Sequence, residues 1–371
     1  MAEPLCSYFG SCGGCAAQNV DYPLQVQNKR NALAGAIGFE DIRVFHGEEY
    51  FYRTRVDMVF HQGGLGFRRK GSWQRIVDVE QCVIAGKAVN RLVGEIRDFF
   101  ADVDNFHVKK KSGTFRYAVI RAPGGDSSIS FVLNADSTRL LQAREKIIEF
   151  AEGSAAKNIV VTYVPNNRDA SVSGDYFTIK GTDELAVEIL GHDFSFNVQG
   201  FFQNNDRMAL ELHTYVRGIL KSHEPGTPHL ADLYGGVGTF GIINSDLFGT
   251  VTVIESFPQA VDSARKNVIA NDCQNVTVLE LDAKRLKNAS LAKPLTVITD
   301  PPRSGMNPKT IVELNRLHPK LIVYVSCNIR QLGADVRKFK GYSVKSAAMF
   351  DFFPHTPHVE AVVELVADEL I

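Results

Sequence analysis

Leu321 to Ile329 reads LIVYVSCNI: four aliphatic residues and a tyrosine, then Ser326, Cys327 and Asn328. An apolar run that breaks off in small polar residues describes a buried strand delivering a loop. In open α/β sheets chemistry collects at the carboxyl ends of strands, where Cys327 falls. Upstream, Leu295 to Thr299 runs in the same way into Asp300-Pro301-Pro302-Arg303, and His229 to Leu233 into Tyr234-Gly235-Gly236-Val237-Gly238. Three strand ends thus present a thiol, a carboxylate and a glycine loop. Helices over about 206–220, 258–271 and 307–317 alternate with strands Val251 to Ile254, ending in Glu255, and Val276 to Leu279, leading to Asp282. That alternation predicts an α/β fold, a doubly wound, largely parallel sheet over residues 196–371.

The first half has a different rhythm. A helix is expected from Tyr22 to Ile37, with Leu24, Val26, Leu33, Ala36 and Ile37 as its apolar face. Thr54 to Phe60 and Leu65 to Lys70 read as antiparallel strands around a turn. A helix at 85–100, strands at 114–120, 128–133 and 158–164, and a helix at 138–150 complete an α+β unit over residues 1–195.

The 371 residues carry 41 basic and 42 acidic side chains, so any nucleic-acid-binding surface must be local. Arg53, Arg55, Arg68, Arg69, Lys70 and Lys109 to Lys111 lie in the first third. No apolar run approaches the roughly 18 residues needed to cross a bilayer, and MAEPLCSYFG has neither a basic leader nor an apolar core. A cytoplasmic protein with no membrane partner is expected. In a reducing compartment the six cysteines read as metal ligands, catalytic thiols or buried small residues before disulfides. Cys6, Cys12 and Cys15 are spaced C-x5-C-x2-C among Gly10, Gly13 and Gly14, and Cys82 stands apart. Four such thiolates suit a [4Fe–4S] cluster or a structural zinc; zinc sites favour a second C-x2-C or closely spaced histidines, so iron–sulfur is preferred. Cys273 has no polar company and reads as structural.

Asp232-x-x-x-Gly236-x-Gly238 is neither G-x-G-x-x-G nor a G-K-[ST] phosphate loop, which disfavours a dinucleotide or nucleoside triphosphate. With the downstream acid Glu255 and then Asp282, it resembles the S-adenosylmethionine sites of doubly wound methyltransferases, a resemblance that implies Glu255 at the ribose hydroxyls and Asp282 at the adenine amino group. Asp300-Pro301-Pro302-Arg303 lacks the aromatic fourth residue of amino-group methyltransferases. Cys327 supplies another logic: C5 of uracil is a poor nucleophile, and a thiolate adding to C6 turns it into an enolate carbon able to accept a methyl group. A base must then take the C5 proton, and Glu360, beside His358 at the head of an apolar strand, is the candidate.

Together these residues resemble the iron–sulfur RNA 5-methyluridine (uracil-C5) methyltransferases. The resemblance is carried by Cys-x5-Cys-Gly-Gly-Cys-x2-Gln (6–18), Asp78 to Cys82, Phe202-Gln203-x-Asn205, Asp232 to Gly238, Asp300 to Arg303, Ser326-Cys327-Asn328 and Phe353 to Glu360. It implies a Rossmann-like methyltransferase domain preceded by an α+β domain holding a [4Fe–4S] cluster on Cys6, Cys12, Cys15 and Cys82. It further implies S-adenosylmethionine contacts at Gln203, Tyr234, Thr239, Glu255, Asp282 and Asp300, with Cys327 as nucleophile and Glu360 as base. Tyr234-Gly235 replaces a common Phe-Cys, and Thr239 a common Asn, which leaves the Thr239 contact open. No β-barrel RNA-binding domain is expected before Cys6, a layout similar to 23S rRNA uracil-747-type enzymes; tRNA uracil-54 enzymes are the alternative. A monomer without an obligate protein partner is expected. Competing classes are a cytosine-C5 enzyme, which would be expected to carry Pro-Cys or Thr-Cys at the nucleophile, and a non-catalytic iron–sulfur RNA-binding protein.

Overall fold

The computed structural model describes residues 2–223 and 228–368. In chain order, α1 (Tyr22–Ile37) and β1 (Ile42–Phe45) precede β2 (Arg55–His61), β3 (Gly64–Arg68), β4 (Ile76–Asp78), α2 (Lys87–Phe99), β5 (Phe115–Arg121), β6 (Ser128–Asn134), α3 (Leu140–Gly153), β7 (Asn158–Val164) and β8 (Tyr176–Lys180). A two-stranded hairpin follows, β9 (Glu184–Ile189) and β10 (His192–Asn197), and then α4 (Asp206–Ser222). The rest alternates: β11 (His229–Leu233), α5 (Thr239–Ile243), β12 (Thr250–Glu255), α6 (Pro258–Ala270), β13 (Val276–Glu280), β14 (Leu295–Thr299), α7 (Pro308–Leu317), β15 (Leu321–Ser326), α8 (Ile329–Val336), β16 (Tyr342–Phe350) and β17 (Glu360–Ala367).

One sheet has the order β4-β3-β2-β5-β6-β7-β8, with β6 and β7 its one parallel pair. The apolar faces of α2 (Val89, Leu92, Val93, Ile96) and α3 (Ala143, Ile147, Phe150) share a core with it. Phe60, Phe100 and Phe131, each 1% exposed or less, meet there. Each such ring contributes about 1.5–3 kcal/mol by leaving water.

The second sheet has the order β1-β16-β17-β15-β14-β11-β12-β13. From β13 to β15 all neighbours are parallel, and the strand order reverses between β11 and β14, the crevice where doubly wound sheets bind ligands. β17 runs antiparallel to both β15 and β16. Its first residue, Glu360, therefore lies at the carboxyl ends of the parallel strands. This is the α/β sheet that the LIVYVSCNI stretch predicts.

Early residues join this sheet as well. β1 pairs in parallel with β16, Ile42 opposite Ala347, and α1 packs on α8. The helices touch so closely that a Cβ on Gly333 would lie 2.1 Å from the Ala36 carbonyl oxygen, so only glycine fits. α1 has proline in its first turn and ends on Gly38 at φ 69°. Its buried side is Gln25, Val26, Lys29, Leu33 and Ala34, not the all-apolar stripe expected; Leu24 is 46% exposed. The two polar side chains turned inward serve the site described next.

Candidate active site

Register gathers the chemistry. Leu233 pairs with Thr299, Thr299 with Tyr324, and Ser326 with Ala361. One step beyond these pairs, Tyr234, Asp300, Cys327 and Glu360 follow at adjoining strand ends, Cys327 across from Glu360. The turn holding Cys327 is made by its neighbours. The Asn328 amide donates to Ser326 Oγ (3.1 Å), and Asn328 Oδ1 caps α8 by accepting from the Gln331 amide (3.3 Å). Asn328 Nδ2 donates to the Arg303 carbonyl (2.8 Å), tying the thiol's turn to the Asp300–Arg303 loop.

Burial pushes the Asp300 carboxyl up to about 7, although part of the residue still reaches solvent. Glu360, 4% exposed, is raised by burial first and then by the charge of Asp300, with Arg303 opposing. The Cys327 thiol is pushed up to about 11 by burial, then by Glu360 and Asp300, again against Arg303. Arg303 also donates to His358 Nδ1 (2.8 Å); burial and then this cation lower the imidazole's pKa, so His358 is a neutral acceptor there. Two carboxyls and a thiol crowded together favour protonated forms, and any cation bound among them favours the ionised ones.

The glycine loop lies beside this group. Asp232 is fully buried, and its Oδ2 accepts from the Gly241 amide (2.9 Å), which fixes the start of α5. Tyr234 takes a left-handed φ of 58°, and Gly236, at φ 54°, has open space where a side chain would stand. Glu255 accepts from the Gly236 amide (3.0 Å) through one oxygen and from the Phe257 amide (2.8 Å) through the other. Asp282 accepts from the Lys284 amide (3.0 Å) and pairs with Lys284 Nζ (2.7 Å), which holds its pKa down. Glu255 and Asp282 end adjacent strand segments, with Gly236 between them and Asp300. Thr239 opens α5 and Gln203 is half-buried between β10 and α4. The open backbone and flanking carboxylates fit a nucleoside with a cationic substituent.

Sequence reading missed what holds the Asp351–His358 segment ahead of Glu360. Lys29 Nζ donates to Asp351 Oδ1 (2.7 Å) and the Phe353 carbonyl (3.1 Å). Asn205 Nδ2 donates to the Phe352 carbonyl (3.1 Å), and the Tyr52 hydroxyl to that of Pro354 (3.1 Å). Gln25 accepts from the His355 amide (3.0 Å) and donates to Ala17 and Val20 carbonyls (2.9 and 2.7 Å). The amides of Ala16 and Ala17 close on the His355 carbonyl (2.8 and 3.1 Å). The one available signal was Asp351, a charge inside the apolar run Met349 to Pro354.

Cys6, Cys12, Cys15 and Cys82 line one cavity of about 440 Å³, with Arg53, Arg55 and Asp57 on its wall. All four are free thiols. Burial, chiefly, raises Cys12, Cys82 and Cys15, the last to about 11. Among the described residues no three histidine, cysteine or acidic side chains converge on a single metal ion. A four-iron cluster takes one thiolate on each iron, so its ligands surround a volume and do not meet at a point. Four thiols around one cavity fit that requirement. The cysteine loop is strapped to β3 and the turn after it: the Gly13 amide donates to the Arg68 carbonyl (3.0 Å) and the Lys70 amide to that of Ser11 (2.8 Å). Cys273 contacts Ser245 Oγ (3.4 Å) and is partly buried against two apolar clusters that include neither Cys327 nor the other four cysteines. No helix is long and apolar enough to cross a membrane among the described residues.

Comparison with known proteins bears on this geometry. The family model "tRNA (Uracil-5-)-methyltransferase" matches residues 21–368. The tRNA (uracil(54)-C(5))-methyltransferase of Pyrococcus abyssi is 31% identical over 98% of this chain and 86% of its own. An uncharacterised RNA methyltransferase of Caldanaerobacter subterraneus is also 31% identical, over 97% and 84%. The crystal structure of the Pyrococcus abyssi enzyme in complex with S-adenosyl-L-homocysteine superimposes with a TM-score of 0.79 at 29% identity, covering 96% of this chain and 86% of that one.

Proposed function

The chain belongs to the tRNA (Uracil-5-)-methyltransferase family, and on that premise we propose that it transfers a methyl group to C5 of uridine 54 in tRNA. It is an S-adenosylmethionine-dependent RNA uracil-C5 methyltransferase. The expectation of 23S rRNA gives way to the tRNA alternative because the relatives named for a specific RNA, which match almost the whole chain, are tRNA uracil-54 enzymes from Pyrococcus. The ribosomal reading rested on the segment before Cys6, which carries no information about the RNA.

One observation carries the chemistry: register sets Cys327 across from Glu360, with Asp300 at the neighbouring strand end. Gln203, Tyr234, Thr239, Glu255, Asp282 and Asp300 would hold S-adenosylmethionine, which supplies an electrophilic methyl group. Positive charge at the site lowers the thiol's pKa, and Cys327 adds to uracil C6, forming an S–C6 bond and moving the ring's electron pair to C5. Once C5 carries the methyl group, Glu360 takes the C5 proton. The electron pair left behind reforms the double bond as Cys327 departs. Its burial makes Glu360 a stronger base than an exposed carboxylate. A uridine in a loop is the less costly to extrude into such a site.

The same reading assigns a [4Fe–4S] cluster to Cys6, Cys12, Cys15 and Cys82, with a structural role. It divides the chain into an iron–sulfur and RNA-binding part within 1–195 and a methyltransferase part, 196–371, to which α1 and β1 (Tyr22–Phe45) are added from the first half, and makes the enzyme a cytoplasmic monomer. The test is labelled methyl transfer to unmodified tRNA and 23S rRNA transcripts, with the product base mapped. Label in 5-methyluridine at tRNA position 54, abolished by Cys327→Ala, is the expected result. Label on rRNA alone, or in cytosine, would overturn the assignment.

A further inference from the structure

Two basic segments stand out in the first third of the chain, and the sheet separates them. β2 and β5 pair with Arg55 opposite Arg121 and Val59 opposite Tyr117. β3 pairs with β2 through Val59 opposite Gly66 and runs on to Arg68, which faces Ile76 of β4. The turn from Arg69 to Arg75 therefore emerges at the Arg55–Arg121 end of the sheet. That end adjoins the active site. Arg121 donates to the Gly200 carbonyl (2.7 Å), the Thr54 amide to that of Asn204 (2.9 Å), and Tyr52 to Pro354 in the segment ahead of Glu360. Lys109, Lys110 and Lys111 sit inside the His107–Ser112 bridge, next to Phe115 at the far end of β5. Six residue steps along β5 set the two clusters roughly 20 Å apart.

The turn is ordered and unneutralised. The Arg69 amide donates to the Arg75 carbonyl (2.7 Å), the Ser72 amide to that of Arg69 (2.9 Å), and Arg68 donates to the carbonyl of Trp73. Arg68 is spent on Asp169 (2.8 Å). Arg69, Lys70 and Arg75 are exposed, and among the described residues no carboxylate pairs with them. Between them stands the chain's single tryptophan, 56% exposed. An exposed indole on an ordered turn, flanked by cations without carboxylate partners, matches a nucleobase with its phosphates.

We propose that the Arg69–Arg75 turn is an RNA-docking element: Trp73 stacks on an unpaired base of the substrate while Arg69, Lys70 and Arg75 hold the adjoining phosphates, and the Lys109–Lys111 loop takes no part. This rests on the RNA methyltransferase reading. The single tryptophan makes the contact directly observable. Titrating the full-length protein with unmodified tRNA should quench its tryptophan emission in step with filter-measured binding. Trp73→Ala should raise KM for tRNA about tenfold with kcat kept within about twofold, and Trp73→Phe should restore most of it. Arg69→Ala with Lys70→Ala and Arg75→Ala should lower the salt slope of binding by about 2–3. Replacing all three of Lys109, Lys110 and Lys111 by alanine should leave both readouts unchanged. Unchanged emission from an enzyme that binds and methylates tRNA would overturn the proposal, as would a KM defect confined to the Lys109–Lys111 variant. A protein that neither binds nor methylates either RNA would instead overturn the methyltransferase reading beneath it.

Discussion

Replacing Lys29 by methionine isolates the device that fixes the segment ahead of Glu360. Lys29 is 7% exposed and Asp351 1%, and their ion pair spans 2.7 Å. Methionine keeps the aliphatic stem, so the change removes the charge and two hydrogen bonds and little volume. Breaking one side of a buried pair leaves an uncompensated charge and costs about 3–5 kcal/mol. The lower end, about 3 kcal/mol, is expected here. That corresponds to a fall in Tm of roughly 5–10 °C. Lys29→Met with Asp351→Asn should recover most of the loss. Thermal unfolding of the single and double variants measures both effects. Freed at one end, the segment also places Glu360 less accurately, and a displacement of about 1 Å lowers kcat by up to about 100-fold. A Tm change below ~2 °C, or a double variant no better than the single one, would refute this reasoning.

Three further outcomes follow from the site. Glu360→Gln should halt the reaction after methyl transfer, lowering turnover about 10²- to 10⁴-fold and leaving a labelled protein–RNA band on a denaturing gel; equal turnover without such a band would assign the base elsewhere. Asp300, raised to about 7, is charged above that pH and neutral below it, so affinity for cationic S-adenosylmethionine should fall as pH drops through about 7, by at most about tenfold per unit. Calorimetry should show this dependence flattened in Asp300→Asn. After anaerobic reconstitution the wild-type chain should hold about four irons and Cys82→Ser markedly fewer, by iron and sulfide analysis.

The alternation of elements was legible because a parallel sheet buries both faces of its strands and writes them as short apolar runs. LIVYVSCNI, LTVIT and HLADL each became a central strand. Tyr22–Ile37 was legible as a helix from apolar residues spaced among polar ones, yet its buried face was not. A lysine and a glutamine that point inward follow no apolar periodicity, and Asp351 and His355, which they hold, lie more than 320 residues away. β1 escaped for a similar reason: four residues, half-exposed, paired among the described residues with β16. β16 itself carries a polar first half, Tyr342 to Ser346, that hides its apolar second half. Site residues at strand ends could be read because their chemistry is local to a motif. That Cys327 and Glu360 stand across from one another depends on β17 running antiparallel, which no local pattern encodes.

The central claim is that Cys327 bonds to the uracil ring. The direct measurement uses a tRNA transcript containing 5-fluorouridine, incubated with the protein and S-adenosylmethionine, digested with nuclease and trypsin, and examined by mass spectrometry. Fluorine at C5 cannot be taken as a proton, so elimination stops and the adduct persists. The predicted product is a methylated fluorouridine fragment on the peptide Leu321 to Arg330, attached at Cys327. Attachment at another residue, or no adduct from a preparation that methylates the ordinary transcript, would contradict the mechanism.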